Sequence, residues 1–137
     1  MAAYVPTDCP TREKHGWLGD TQISAETDLY TFDTFASHAK FLGDMRDAQI
    51  ENNLAGLLPD VAPDGTGLGD PMQTAAFVLL VDWLHQHYSA VSLVEEHYDA
   101  LAEYMAGLAR YINTTTHIIP SRPLSHWGDW LGSRIWG

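Results

Sequence analysis

The sequence predicts an all-α fold, and three features carry that expectation. Apolar residues recur at three- and four-residue steps over most of the chain. A segment that is apolar nearly all round is followed by an amphipathic one. Between the periodic segments lie loops dense in glycine and proline. Alternating inner and outer helices joined by loops is what a layered α/α architecture requires. At 137 residues the chain is expected to be a single domain, residues 1–137, large enough to bury a core.

Four to five helices in antiparallel pairs follow from the pattern. A short one is expected from about Asp20 to Tyr30. A second runs from Thr31 to about Gln49, with Phe32, Phe35, Ala36, Ala39, Leu42 and Met45 on one side and a boundary near Asp33. Gly56 to Pro71 holds four glycines and three prolines and must be a loop. Met72 to about Tyr88 is apolar on almost every side, as an inner helix should be. Ser92 and Glu95 form a capping box for the next helix, whose stripe of Tyr98, Leu101, Ala102, Met105, Leu108, Ala109 and Ile112 marks an outer, half-exposed position. Beyond Thr116, Pro120 and Pro123 stop any helix.

Charge and composition narrow the function classes. Lysine and arginine number 7 and aspartate and glutamate 18, a formal charge of −11. Nucleic acid and anionic membrane surfaces would repel such a chain, whereas a neutral ligand such as a glycoside would not. The single cysteine, Cys9, cannot form an internal disulfide, and none of the seven histidines is placed as its base. Met1 to Pro6 has neither a basic start nor an apolar run, so a cytoplasmic address is expected over a secreted one. The longest apolar run, Ala75 to Val81, is far below the roughly 20 residues of a membrane span. No cofactor is expected. Asp60, Asp64 and Asp70 invite a calcium reading, but Ala62 and Pro71 stand where ligands are wanted. His85 and His87 lie two apart, on different helical faces, so no metal site is expected there either.

The stretch from Asp8 to Asp20 reads Asp-Cys-Pro-Thr-Arg-Glu-Lys-His-Gly-Trp-Leu-Gly-Asp. Three carboxylates, a guanidinium and an indole are packed between Pro10, Gly16 and Gly19, where a helix or strand would not run. Taken as composition, it is a solvated loop. Taken as an arrangement, it is a binding site. Arginine presents a planar fork of donors to carboxylates, and tryptophan a flat apolar face on which a sugar can stack. The segment His126 to Leu131 repeats the theme, with Trp127 and Trp130 around Asp129; by itself it fits a core plug equally well.

These residues resemble the signature of the bacterial α-L-rhamnosidases, six-hairpin glycosidases of glycoside hydrolase family 78. Asp8 to Glu13 and Gly16 to Asp20 match Asp-Cys-Pro-x-Arg-Glu and Gly-Trp-x-Gly-Asp, Pro59 to Pro63 match a Pro-Asp-Val-Ala-Pro segment, and Gly128 to Leu131 match Gly-Asp-Trp-Leu. The resemblance implies a partial (α/α)6 barrel, the N-terminal part of a catalytic domain. It implies Glu13 as general acid, with Asp8, Arg12, Trp17, Asp20, Asp129 and Trp130 binding a rhamnose-containing glycoside. A general acid must hold its proton near neutrality, which neighbouring carboxylates and burial favour and a paired guanidinium opposes. Thr74 and Ala76 depart from the tryptophan and aspartate that the family often carries there.

Inverting hydrolysis also needs a base on the opposite face of the sugar. The family's base lies late in the barrel and has no counterpart here, and the β-sandwich domains that precede the barrel in the family are not expected before Met1. Two expectations result. The chain is part of an inverting α-L-rhamnosidase catalytic domain with the acid present and the base missing. Alternatively it is a non-catalytic helical module that binds sugar or a partner. An open part-barrel would expose apolar helix surface and favour self-association.

Overall fold

The computed structural model describes residues 5–7, 10–120, 124 and 127. The fold is all-α. Its elements are α1 (Leu18–Thr31), α2 (Phe35–Glu51), the single turn α3 (Pro71–Thr74), α4 (Ala76–Tyr88) and α5 (Val91–Ala109). Short links join α1 to α2 and α4 to α5; α5 packs on α4, and α1 and α2 each pack on α4 rather than mainly on one another. Among the described residues the strand content is a single antiparallel bridge, Trp17 to Val61.

The inner helix is α4, which packs against α1, α2 and α5. Ala76, Phe77, Leu80, Val81 and Leu84 are buried along it, and Val78 and Trp83 are partly covered. Each fully buried large side chain stabilises the fold by about 1.5–3 kcal/mol relative to exposure, so this helix dominates the core. The turn α3 that leads into it is specified locally. The Asp70 carboxylate caps the Met72 N–H at 2.9 Å, and Pro71 takes the first helical position, where no N–H is needed. The expected Met72–Tyr88 helix is therefore present, broken only at Ala75 between α3 and α4.

Two helix boundaries depart from expectation. Helix α1 continues to Thr31, and α2 begins only at Phe35, so Phe32 is the residue following α1 and is 64% exposed. The capping box of α5 does not form. The tight turn at Ser89, with a left-handed φ of 53°, starts the helix at Val91, and Ser92 falls inside it.

The register of α5 also differs. Its buried face is Leu93, His97, Ala100, Tyr104 and Gly107, while Tyr98, Met105 and Ile112 are 65%, 55% and 41% exposed. The helix is apolar on two faces, and periodicity cannot say which one a neighbour covers. Polar side chains mark the covered face. The Tyr104 hydroxyl shares a 2.9 Å hydrogen bond with Thr74 Oγ1, and Gln49 Nε2 donates to the Ala100 carbonyl at 3.0 Å. Gly107 admits Leu57, whose Cδ2 would lie 2.9 Å from an added Cβ.

His38 and His97 are buried in this core. Neither ring nitrogen of His38 has a hydrogen-bond partner, although Nε2 lies 3.8 Å from the Asp28 carboxylate; His97 Nδ1 is likewise unpartnered. Burial lowers the pKa of both, against the pull of Asp28 on His38 and of Glu96 on His97. The folded state holds them neutral, so as pH falls through the ordinary histidine value of about 6.5 the unfolded chain binds the extra protons. The melting temperature is expected to fall between about pH 7.5 and 5. His38→Gln with His97→Gln should flatten that slope in thermal melts, even if the double variant is less stable throughout.

Candidate active site

The stretch from Pro10 to Trp17 meets the loop before α3 at the N-terminal end of α1. Residues 16–18 and 60–62 run side by side, with Ala62 N–H donating to the Gly16 carbonyl at 3.0 Å and Leu18 N–H to the Asp60 carbonyl at 2.9 Å. An added Cβ on Gly16 would sit 2.3 Å from the Ala62 oxygen and 2.5 Å from Val5 Cγ1. On Gly19 it would meet the Gln73 side chain at 2.9 Å. Neither glycine has a left-handed φ, so their role is close approach of backbone and helix. The left-handed residue of this stretch is Lys14, with φ 60°.

Three of the expected site residues come together. Arg12 Nη2 lies 2.8 Å from Glu13 Oε1, and Trp17 Nε1 donates to Glu13 Oε2 at 2.9 Å. The Glu13 side chain is one-third exposed (33%), open to solvent yet held on both oxygens. Asp20, in the first turn of α1, lines a neighbouring cleft of about 280 Å³ with Thr7, Asp28 and His38, and none of Arg12, Glu13 and Trp17 lines it. Asp8, Asp129 and Trp130 lie outside the described residues.

The sequence reading left three residues of this end unassigned to the site. Trp127 meets Trp17 edge to face, with ring centroids 5.6 Å apart and planes at 89°. Its Nε1 donates to Asp60 Oδ2 at 2.7 Å, and its backbone N–H to Asp70 Oδ2 at 2.8 Å. Asp70 N–H in turn donates to Asp60 Oδ1 at 2.6 Å. The sequence showed Asp60 as part of the Pro59–Pro63 segment and, with Asp70, as a failed calcium ligand, but not this use of either, because their partner is 67 and 57 positions away. Their carboxylates are occupied by N–H groups, while Asp64 faces His15 Nδ1 at 3.5 Å. Among the described residues no group of three or more histidine, cysteine or acidic side chains is placed to hold a metal ion.

With this geometry in hand, comparison with known proteins is decisive. The family described as the bacterial alpha-L-rhamnosidase 6 hairpin glycosidase domain matches residues 2–135. The chain belongs to this family. An alpha-L-rhamnosidase of Streptomyces avermitilis is 36% identical over 130 residues, covering 93% of this chain and 12% of that protein. One from Formosa agariphila is 30% identical over 108 residues, 74% of this chain and 11% of its own length. The alpha-L-rhamnosidase structure from Dictyoglumus thermophilum superposes with a TM-score of 0.74 at 38% identity, over 81% of this chain and 13% of that one. The chain thus spans about an eighth of the length of these relatives. Its helices are part of the family's six-hairpin barrel, and no helix among the described residues is long and apolar enough to cross a membrane.

The close contact at Gly16 should be sensitive to a single methyl group. Gly16→Ala is expected to destabilise the chain by about 1–3 kcal/mol, since the Ala62 carbonyl it would strike is backbone in a paired segment. Urea denaturation would read this as a lower midpoint at unchanged slope.

Proposed function

We propose that this chain carries the general-acid half of an inverting α-L-rhamnosidase site. In this reading it is the N-terminal part of a six-hairpin catalytic domain, and its substrate class is terminal α-L-rhamnosides, as the names of its relatives suggest. The observation that supports it most directly is the Arg12–Glu13–Trp17 cluster, in which the carboxylate is gripped from both sides beside an aromatic face. Glu13 is the acid, Trp17 the stacking surface, and Arg12, Asp8 and Asp20 hold sugar hydroxyls. Asp129 and Trp130 complete the pocket. The general base comes from outside residues 1–137.

In the arrangement described, both Glu13 oxygens accept, one from Arg12 and one from Trp17. Delivering a proton to a glycosidic oxygen requires one of them to be released. A sugar that stacks on the Trp17 face leaves that N–H in place, but one that bonds Arg12 would compete with Glu13 for the guanidinium at the moment it binds. Proton delivery is thereby coupled to occupancy of the pocket.

A second reading, a helical interaction module, draws on α5. Val91, Tyr98 and Met105 are exposed at seven-residue intervals along one face, and Ile112 is exposed just beyond the helix end. Contiguous apolar surface of this kind favours association. In the isolated chain it is expected to produce dimers or larger species in sedimentation equilibrium, shifted to monomer by Tyr98→Glu with Met105→Lys.

The catalytic reading is tested with an aryl α-L-rhamnoside and with calorimetric titration of L-rhamnose. Binding without turnover is expected. Trp17→Ala should weaken binding about tenfold, a loss of about 1.4 kcal/mol. Turnover that disappears in Glu13→Gln would show that the chain acquires a base by assembly. Absence of rhamnose binding would sink the reading.

A further inference from the structure

The Asp60–Asp70 pair has no place in the chemistry described so far, yet it fixes one of the larger exposed side chains of the molecule. Trp127 is 40% exposed, so it is not a plug closing the core. A solvent-exposed indole is ordinarily free to change rotamer. Here the side-chain N–H is held by Asp60 and the main-chain N–H by Asp70. Asp60 is itself pinned by the Asp70 N–H, and Asp70, only 2% exposed, caps the helix start. Three residues earlier, Leu124 is buried in the core at 4% exposure and fastens the same segment. Asp60 is tied to the motif on its other side, through its carbonyl and the Leu18 N–H at 2.9 Å.

We propose that Asp60 is a positioning residue, which with Asp70 seats Trp127 as a second aromatic wall of the site, standing at right angles to Trp17. The proposal rests on the sugar-binding reading above for its ligand, and on geometry alone for the seat. Each indole has its N–H committed to a carboxylate, Trp17 to Glu13 and Trp127 to Asp60, which leaves the rings to act through their apolar surfaces. Two such planes at 89° match a ligand with two adjacent apolar surfaces. A 6-deoxyhexose has them: the C–H face of the ring and the methyl on C5. A hexose with a hydroxymethyl there would bring a polar group against the Trp127 ring. Trp127 therefore discriminates at C5, and Asp60 sets the angle from which it does so.

The seat and its consequence are read separately. Asp60→Asn is close to isosteric, but its amide cannot accept from both Asp70 N–H and Trp127 Nε1–H, so one donor is left facing a donor. Two indoles this close give an exciton couplet in far-ultraviolet circular dichroism, assigned by its loss in Trp127→Phe and in Trp17→Phe. Asp60→Asn is expected to reduce that couplet by at least about half while Asp44→Asn, a mostly covered carboxylate on α2 paired with Lys40, leaves it unchanged. A couplet that Asp60→Asn does not alter overturns the seat.

Calorimetry then compares L-rhamnose with L-mannose, which differ only by the C5 substituent. Wild-type chain is expected to favour L-rhamnose about tenfold, and both Asp60→Asn and Trp127→Phe to erase most of that preference. A preference that survives in both variants overturns the role of Trp127. Failure of wild-type chain to bind either sugar, with the couplet still dependent on Asp60, would overturn the rhamnoside reading and uphold the seat.

Discussion

Everything at the active end hangs on one close contact, the pairing of residues 16–18 with residues 60–62. Two backbone hydrogen bonds, at 3.0 and 2.9 Å, weld the loop that leads out of α2 to the segment that leads into α1. Gly16 makes the approach feasible, since any Cβ there would overlap the Ala62 carbonyl. Through this contact the side chains on each segment acquire a common frame. Trp17 and Glu13 are carried on one, Asp60 on the other, and Asp70 is reached through Asp60. Loss of the pairing would leave the motif as the solvated loop its composition alone describes.

Below that contact the helices serve as a scaffold with a graded interior. The inner helix α4 is covered by α1, α2 and α5, and the single turn α3 that leads into it is capped by the same Asp70 that receives Trp127. One carboxylate therefore links the turn before the central core helix to the indole at the mouth of the site. Stability and site geometry are coupled through this residue. Its burial makes the coupling strong, because a buried carboxylate stripped of either donor would retain an unsatisfied oxygen.

Much of this was legible in the sequence, and the reasons it was not wholly so are physical. Helices reveal themselves through period, and α1, α2, α4 and α5 were all anticipated to within a few residues. The local motif was legible because Arg12, Glu13 and Trp17 meet within one turn of chain. Period does not say which of two apolar faces is covered, and so the face of α5 was misassigned; the covered one carries His97, Tyr104 and Gly107, residues that do not advertise burial. Nor does sequence report contacts across 57 or 67 positions, which is why Asp60 and Asp70 gave no sign of their use. Glycine had the opposite difficulty. Its presence was plain, but whether it served a turn or a close approach depended on a neighbour that only folding supplies.

The carboxylates at this end divide labour according to how their oxygens are occupied. Asp60 accepts at both oxygens from an N–H of the folded chain, one of them the indole it orients. Asp70 does likewise, with one oxygen on its own helix start and the other on the Trp127 backbone. A carboxylate committed in this way is poorly suited to moving protons, because each transfer would unmake part of the fold. Glu13 is different in kind. Its partners are Arg12 and Trp17, side chains of the same short stretch, with Arg12 64% exposed and able to exchange Glu13 for a ligand or water at small cost. Of Glu13, Asp60 and Asp70, Glu13 is the one whose hydrogen bonds can be surrendered without disturbing the core, and that freedom suits the proton donor proposed for it.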